Sequence, residues 1–188
     1  TDKKIDSLLA RVRSMVDSGA IYRFKIAASI DALGPEQEYA RTGLNQNQFI
    51  KNFEKLNIIK GIDLGINSAL SALTIKKLPE LIKKIEQWNA ERSGDRIVFS
   101  FNIDQGMTNP KIFGPGVFDD ALKETIRLLP QKSVREIIVK RHFKTVADSI
   151  MSAQRQPEKI STMKRYLTEL DTRRNTDWTK VYPWLVAI

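Results

Sequence analysis

Cysteine is absent from this chain of 188 residues. That excludes disulfides, zinc ribbons, thiol nucleophiles and thiolate-held iron–sulfur clusters from anything these residues do by themselves. Histidine occurs once, as His142, flanked by Lys140, Arg141 and Lys144. With no second ligand or carboxylate close by in sequence, it reads as a surface residue. No apolar run approaches the roughly 20 residues that span a bilayer, and no segment has the basic, apolar and small-residue succession of a secretory signal. A cytoplasmic location is therefore the default expectation. Basic runs interleaved with aromatics, which a nucleic-acid groove would want, are lacking as well.

What is present suffices for a folded core: 41% of the residues are hydrophobic and 28% charged, an ordinary globular balance. The formal net charge is +9, and residues 131–188 hold 12 Lys and Arg against 6 Asp and Glu, so the basic excess sits in the last third. Such an excess suits RNA, a polyanionic cofactor or an acidic partner, and more commonly a solvated helical surface.

The apolar run from Phe24 to Asp31, bounded by charge before it and by Gly34-Pro35 after it, predicts a buried strand running into a turn. Upstream, Ile5, Leu8, Leu9, Val12, Met15 and Val16 fall at helical spacing up to Ser18-Gly19. Downstream, Asn45 caps a helix with Gln48 three residues on and Phe49, Ile50, Phe53 and Leu56 inward. Gly61 and Gly65 frame a turn before a second strand over Ile66 to Ile75. Pro79 opens a helix ending near Ser93-Gly94, and Ile97 to Ile103 forms a third strand. Alternation of helix and strand implies an α/β fold with parallel strands and helical crossovers. Gly106, Asn109-Pro110 and Gly114-Pro115-Gly116 then mark a loop. Helices are expected over Phe118 to Leu129, Val134 to Met151 and from Pro157, with Arg173-Arg174-Asn175 as a favourable end. The tail holding Trp178, Tyr182 and Trp184 is expected to pack back onto the body rather than stack on a base.

Ala28-Ser-Ile-Asp31, then Gly34, Glu38, Tyr39 and Arg41, followed by a helix with Phe49, Asn52 and Leu56, resembles the fourth strand and following helix of radical S-adenosylmethionine enzymes. The ending from Leu167 to Trp178, with Val181-Tyr-Pro-Trp-Leu185, is similar to the tail of their twitch-domain-containing subgroup. The family's CxxxCxxC loop and Gly-Gly-Glu-Pro-like segment are not here, and the chain starts with Thr. The resemblance therefore implies the C-terminal half of such an enzyme. Residues 1–115 would be three parallel β/α units of a partial (β/α)6 barrel, and residues 116–188 a mainly helical extension, a reduced twitch-like region without an auxiliary cluster. The N-terminal half, or a companion chain, would cover the otherwise unprotected first strand and bring the [4Fe–4S] cluster. In the intact enzyme, reductive cleavage of S-adenosylmethionine would give a 5′-deoxyadenosyl radical that abstracts hydrogen from a substrate, a peptide or protein being favoured and RNA remaining open. This chain alone would be inactive.

By the same resemblance, Ser29 and Arg41, twelve positions apart, contact S-adenosylmethionine, the guanidinium forking onto the methionyl carboxylate. The plain alternative is that Ser29 ends a strand and Arg41 pairs with Glu36 or Glu38. Asp31 bonds ribose or substrate, or caps the turn. Asn102 and Ile103, ending the third strand, fall where the family contacts adenine, and are otherwise core. Asn67 and Ser71 face the barrel lumen and substrate, or serve polar packing. Asp119-Asp120 favours a helix N-terminus, with no metal role. The competing function is a non-enzymatic basic α/β module that binds RNA or a protein partner.

Overall fold

The computed structural model describes residues 2–92 and 94–188. Three strands, β1 (Phe24–Ser29), β2 (Ile62–Leu70) and β3 (Val98–Ile103), form one parallel sheet in the order β1-β2-β3. The α/β class and the parallel strands are thus as the alternation of patterns implies. Before β1 runs α1 (Asp2–Asp17). Between β1 and β2 lie the short α2 (Pro35–Ala40) and α3 (Gln46–Asn57), and between β2 and β3 lies α4 (Leu78–Glu91). Asn45 caps α3 as its position suggests, its side chain accepting from the Gln48 amide at 2.9 Å. Ser93, expected at the end of α4, lies outside the described residues.

The second strand needs correction, since it begins at Ile62 and stops at Leu70 rather than running from Ile66 to Ile75. Gly61 does turn, with φ +77°, but Gly65 lies inside the strand between Ala27 and Val98. The strand stops because Thr74 folds back. Its hydroxyl donates to the Ala69 carbonyl at 3.0 Å and meets the Ser71 hydroxyl at 3.0 Å.

One sheet face carries Ile62, Leu64, Ile66, Leu70 and Phe99, all buried against Phe53 of α3, Ile82, Ile85 and Trp88 of α4 and their neighbours. The opposite face is small and polar. Ser29, Asn67 and Ser100 align in a row across the three strands, and Ala69 aligns with Asn102; Ala27, Ser29, Asn67, Ala69 and Asn102 are exposed. Parallel sheets are ordinarily covered on both faces, so this one is unusual.

Beyond β3 come α5 (Asp119–Leu128), α6 (Val134–Met151), α7 (Pro157–Arg174), α8 (Trp178–Val181) and α9 (Pro183–Val186). Pro157 opens α7, and Asn175 closes it in the left-handed conformation at φ 53°. The buried apolar residues of this part join those around the sheet in one cluster running from Leu9 to Leu185. The tail packs back as expected: Tyr182 and Leu185 are fully buried, and Trp184 meets Phe113 and Phe118 at 5.7 and 5.5 Å between ring centres. His142 is exposed and stacks on Phe101 at 5.1 Å. Among the described residues no helix is long and apolar enough to cross a membrane.

Candidate functional site at the carboxyl ends of the strands

All three strands end at the same side of the sheet, as parallel strands must, and there a cleft of about 300 Å³ opens between the strand ends and α7. Asp31 enters it from β1, Ala69 and Ser71 from β2, and Asn102, Ile103 and Asp104 from β3. Tyr39, Tyr166, Leu170 and Arg174 close it from the helical side. Open parallel sheets bind ligands at this end.

Asp31 organises the cleft. Its side chain is 6% exposed, and one oxygen accepts the Ala69 amide at 2.7 Å where the β1–β2 ladder runs out. The same carboxylate takes Arg41 in a fork, Nε at 2.7 Å and Nη2 at 3.1 Å. The partner of Arg41 is therefore neither Glu36 nor Glu38, and Asp31 caps the neighbouring strand rather than its own turn. That turn is held by Gln37, whose carbonyl oxygen accepts from the Asp31 and Ala32 amides at 2.9 and 2.8 Å. Arg41 keeps the edge between Nη1 and Nη2 free of Asp31, a second fork of the geometry carboxylates fit; its side chain is 37% exposed.

Ser29 stands two residues before Asp31 on the exposed polar face. In the same row Asn67 accepts the Ser100 hydroxyl. Asn102 is exposed and Ile103 half-buried, both lining the cleft. Ser71 is buried and sits past the end of β2, its hydroxyl engaged with Thr74, so it belongs to the turn as well as to the cleft wall. The structure thus brings Asp31, Ser71, Asn102 and Ile103 around one opening, ties Arg41 to it through Asp31 without placing Arg41 in the cleft wall, and leaves Ser29 and Asn67 lower on the adjoining sheet face.

Tyr39, Asp171 and Tyr182 complete the site in a way that sequence reasoning did not foresee. The Tyr39 hydroxyl donates to Asp171 Oδ1 at 2.8 Å; that carboxylate also accepts the Thr176 hydroxyl at 2.6 Å and the Trp178 amide at 2.5 Å. Tyr39 meets Tyr182 edge-on at 5.3 Å, and the Tyr182 hydroxyl donates to the Glu36 carbonyl at 3.2 Å. The tail therefore clamps α2, which leads directly to Arg41. Burial, and then the neighbouring Asp171, push the Tyr39 phenol above its usual range; burial, and then Glu36, do the same to Tyr182. Glu38-Tyr39 was visible within the family-like segment, but a phenol bonding a carboxylate 132 positions away leaves no mark in local sequence.

A larger cavity, about 460 Å³, lies at the opposite, amino end of the sheet, with Leu64, Ile85, Ile97 and Phe99 among its walls. Its acidic groups are spent on arginines: Glu86 and Glu136 on Arg96, Asp63 and Asp95 on Arg23. The carboxyl-end cleft, at the end where open parallel sheets bind their ligands, is the better candidate.

No ligand set for an iron–sulfur cluster exists in this chain: cysteine is absent, and among the described residues no group of three or more His, Asp or Glu is placed to hold a metal ion. Comparison with protein-family models, with curated proteins and with solved structures finds no match.

Proposed function

We propose that this chain forms one wall of a radical S-adenosylmethionine enzyme, being three β/α units of a partial barrel and a C-terminal segment that closes over them. The observation that carries the proposal is the uncovered, small and polar face of a parallel sheet, leading to a cleft at the strand ends. In a partial barrel this face would line the lumen with the helices outside, and its small polar side chains would leave room and hydrogen-bonding groups for a ligand. The resemblance of Ala28 to Arg41 supplies the chemical identity.

In this reading Asp31 is a positioning residue. It orients the Arg41 guanidinium through one fork, and the remaining edge of Arg41 receives the methionyl carboxylate. Ser29 and Asn102 offer short polar groups to the sugar and base, and Ile103 an apolar contact. Asn67, with Ser100, polarises the lumen wall where substrate lies, and Ser71 holds the turn beside it. When bound, the cofactor supplies hydrogen-abstracting radical chemistry at a cluster whose ligands lie outside these residues. No residue of this chain is assigned a catalytic role. A peptide or protein is the proposed substrate.

The test is 5′-deoxyadenosine formation by the protein expressed from the whole reading frame that contains these residues, reconstituted with iron and sulfide without oxygen. The parent protein is expected to form 5′-deoxyadenosine under reducing conditions. R41Q is expected to raise the KM for S-adenosylmethionine about tenfold, the worth of one charge-assisted pair of bonds. No product, or an unchanged KM in R41Q, contradicts the proposal.

A further inference from the structure

One guanidinium faces the carboxyl-end cleft without a commitment elsewhere. Arg41 is forked onto Asp31. Arg174 lines the cleft and, among the described residues, makes no ion pair, hydrogen bond or ring contact. Its neighbour Arg173 instead pairs with Glu169 at 3.3 Å. The backbone carrying Arg174 is fixed by the left-handed Asn175 on one side and by Asp171, which holds Thr176 and Trp178, on the other. Arg174 also lies close enough to the Tyr39 phenol to act on its ionisation.

Tyr166, Leu170 and Arg174 stand four residues apart and all line the cleft. At helical spacing they make one stripe on α7, aromatic, then aliphatic, then cationic, about 12 Å from end to end. Across the cleft, Asp31 is neutralised by Arg41 while Asp104 at the end of β3 has no cation of its own among the described residues, so an anion is disfavoured beside Asp104 and favoured at Arg174 on the helix side. We propose that α7 reads an extended peptide segment, with an apolar or aromatic residue lying on Tyr166 and Leu170 and a carboxylate about two residues further on forked by Arg174. Three extended residues span about 10 Å, which matches the stripe. The inference rests on the proposed function, with the cofactor on the strand side of the cleft and the substrate on its α7 side. Peptide binding itself requires neither cofactor nor cluster.

The test is a nuclear magnetic resonance titration of the isotope-labelled chain with the peptide N-acetyl-Phe-Ala-Glu-amide and with its Gln analogue. Saturable shifts at Tyr166, Leu170 and Asn102 are expected for the Glu peptide, with binding about tenfold weaker for the Gln peptide. In R174Q the two peptides should bind alike, whereas R173Q should keep the difference. Equal binding by the parent chain, no saturable shift, or a preference that survives in R174Q would overturn the inference. Because no S-adenosylmethionine is present, this outcome is separate from that of the cleavage assay.

Discussion

At the scale of single residues, Asp31 does more than its position in the sequence declares. An aspartate leaving a strand usually caps the following turn; here Gln37 does that, and the carboxylate reaches sideways to Ala69 and back to Arg41. Replacing it separates the two tasks. D31A leaves the Ala69 amide and a part-buried guanidinium without their acceptor, a loss of about 2 kcal/mol in urea unfolding, discounted because Arg41 is 37% exposed. D31N keeps an acceptor for Ala69 and should lose about half as much. Equal stability of D31A and the parent would mean that the fork is incidental. Asp31 and Arg41, which the structure joins, stood together in the one short segment that carries the family resemblance, whereas Ser29 of that segment lies apart on the sheet face. Gln37 was not legible, since a neutral amide in a short helix reads as solvent-facing until its two amide partners are known. Arg174 read only as a favourable helix end.

At the scale of elements, local signals were sufficient where an element carries its own boundary. Pro157 and Asn175 delimit α7, and Asn45 delimits the start of α3. They failed where two glycines looked alike: Gly61 takes a positive φ and turns, while Gly65 is strand backbone between two neighbours. A similar contrast is testable in the loop after β3. Gly114 has φ +72°, and a Cβ there would stand 2.9 Å from Arg155 Cβ and 3.0 Å from the Arg155 backbone nitrogen; Gly116 has φ +91° in open space. G114A should therefore cost about 2–3 kcal/mol and G116A about 1 kcal/mol, read from chemical denaturation. Equal losses would show that backbone strain alone matters. The clamp between tail and α2 makes a prediction in pH. Tyr182 has its folded value raised by burial and Glu36, so its contribution is complete below the ordinary phenol value of about 10. It is lost as pH rises further, because the unfolded chain ionises first. Thermal unfolding between about pH 8 and pH 11 should show that decline, and Y182F should make it shallower, leaving the share that Tyr39 contributes with the same sign. A decline of the same slope in Y182F would place its origin elsewhere.

At the scale of the whole molecule, a single core joins the sheet to the C-terminal helices, and the large buried apolar side chains of the strands lie on one side of the sheet. The parallel order was legible from alternating periods, which is a property of the chain taken in order. The bareness of the other face was not, because small residues such as Ala27, Gly65 and Ala69 read equally well as buried or exposed. The proposal that this face is a barrel lumen carries a consequence for the edge at β1. Phe24 and Ile30 donate to β2, at Gly61 and Asn67, so the alternate amides of Lys25, Ala27 and Ser29 point to the free side. If the sheet continues into a preceding strand in the longer protein, those amides are paired there. Hydrogen exchange of Lys25, Ala27 and Ser29, compared between this chain and the protein from the whole reading frame, tests this directly. Protection greater by about a hundredfold or more in the longer protein is the predicted result; equal, rapid exchange in both would contradict the account.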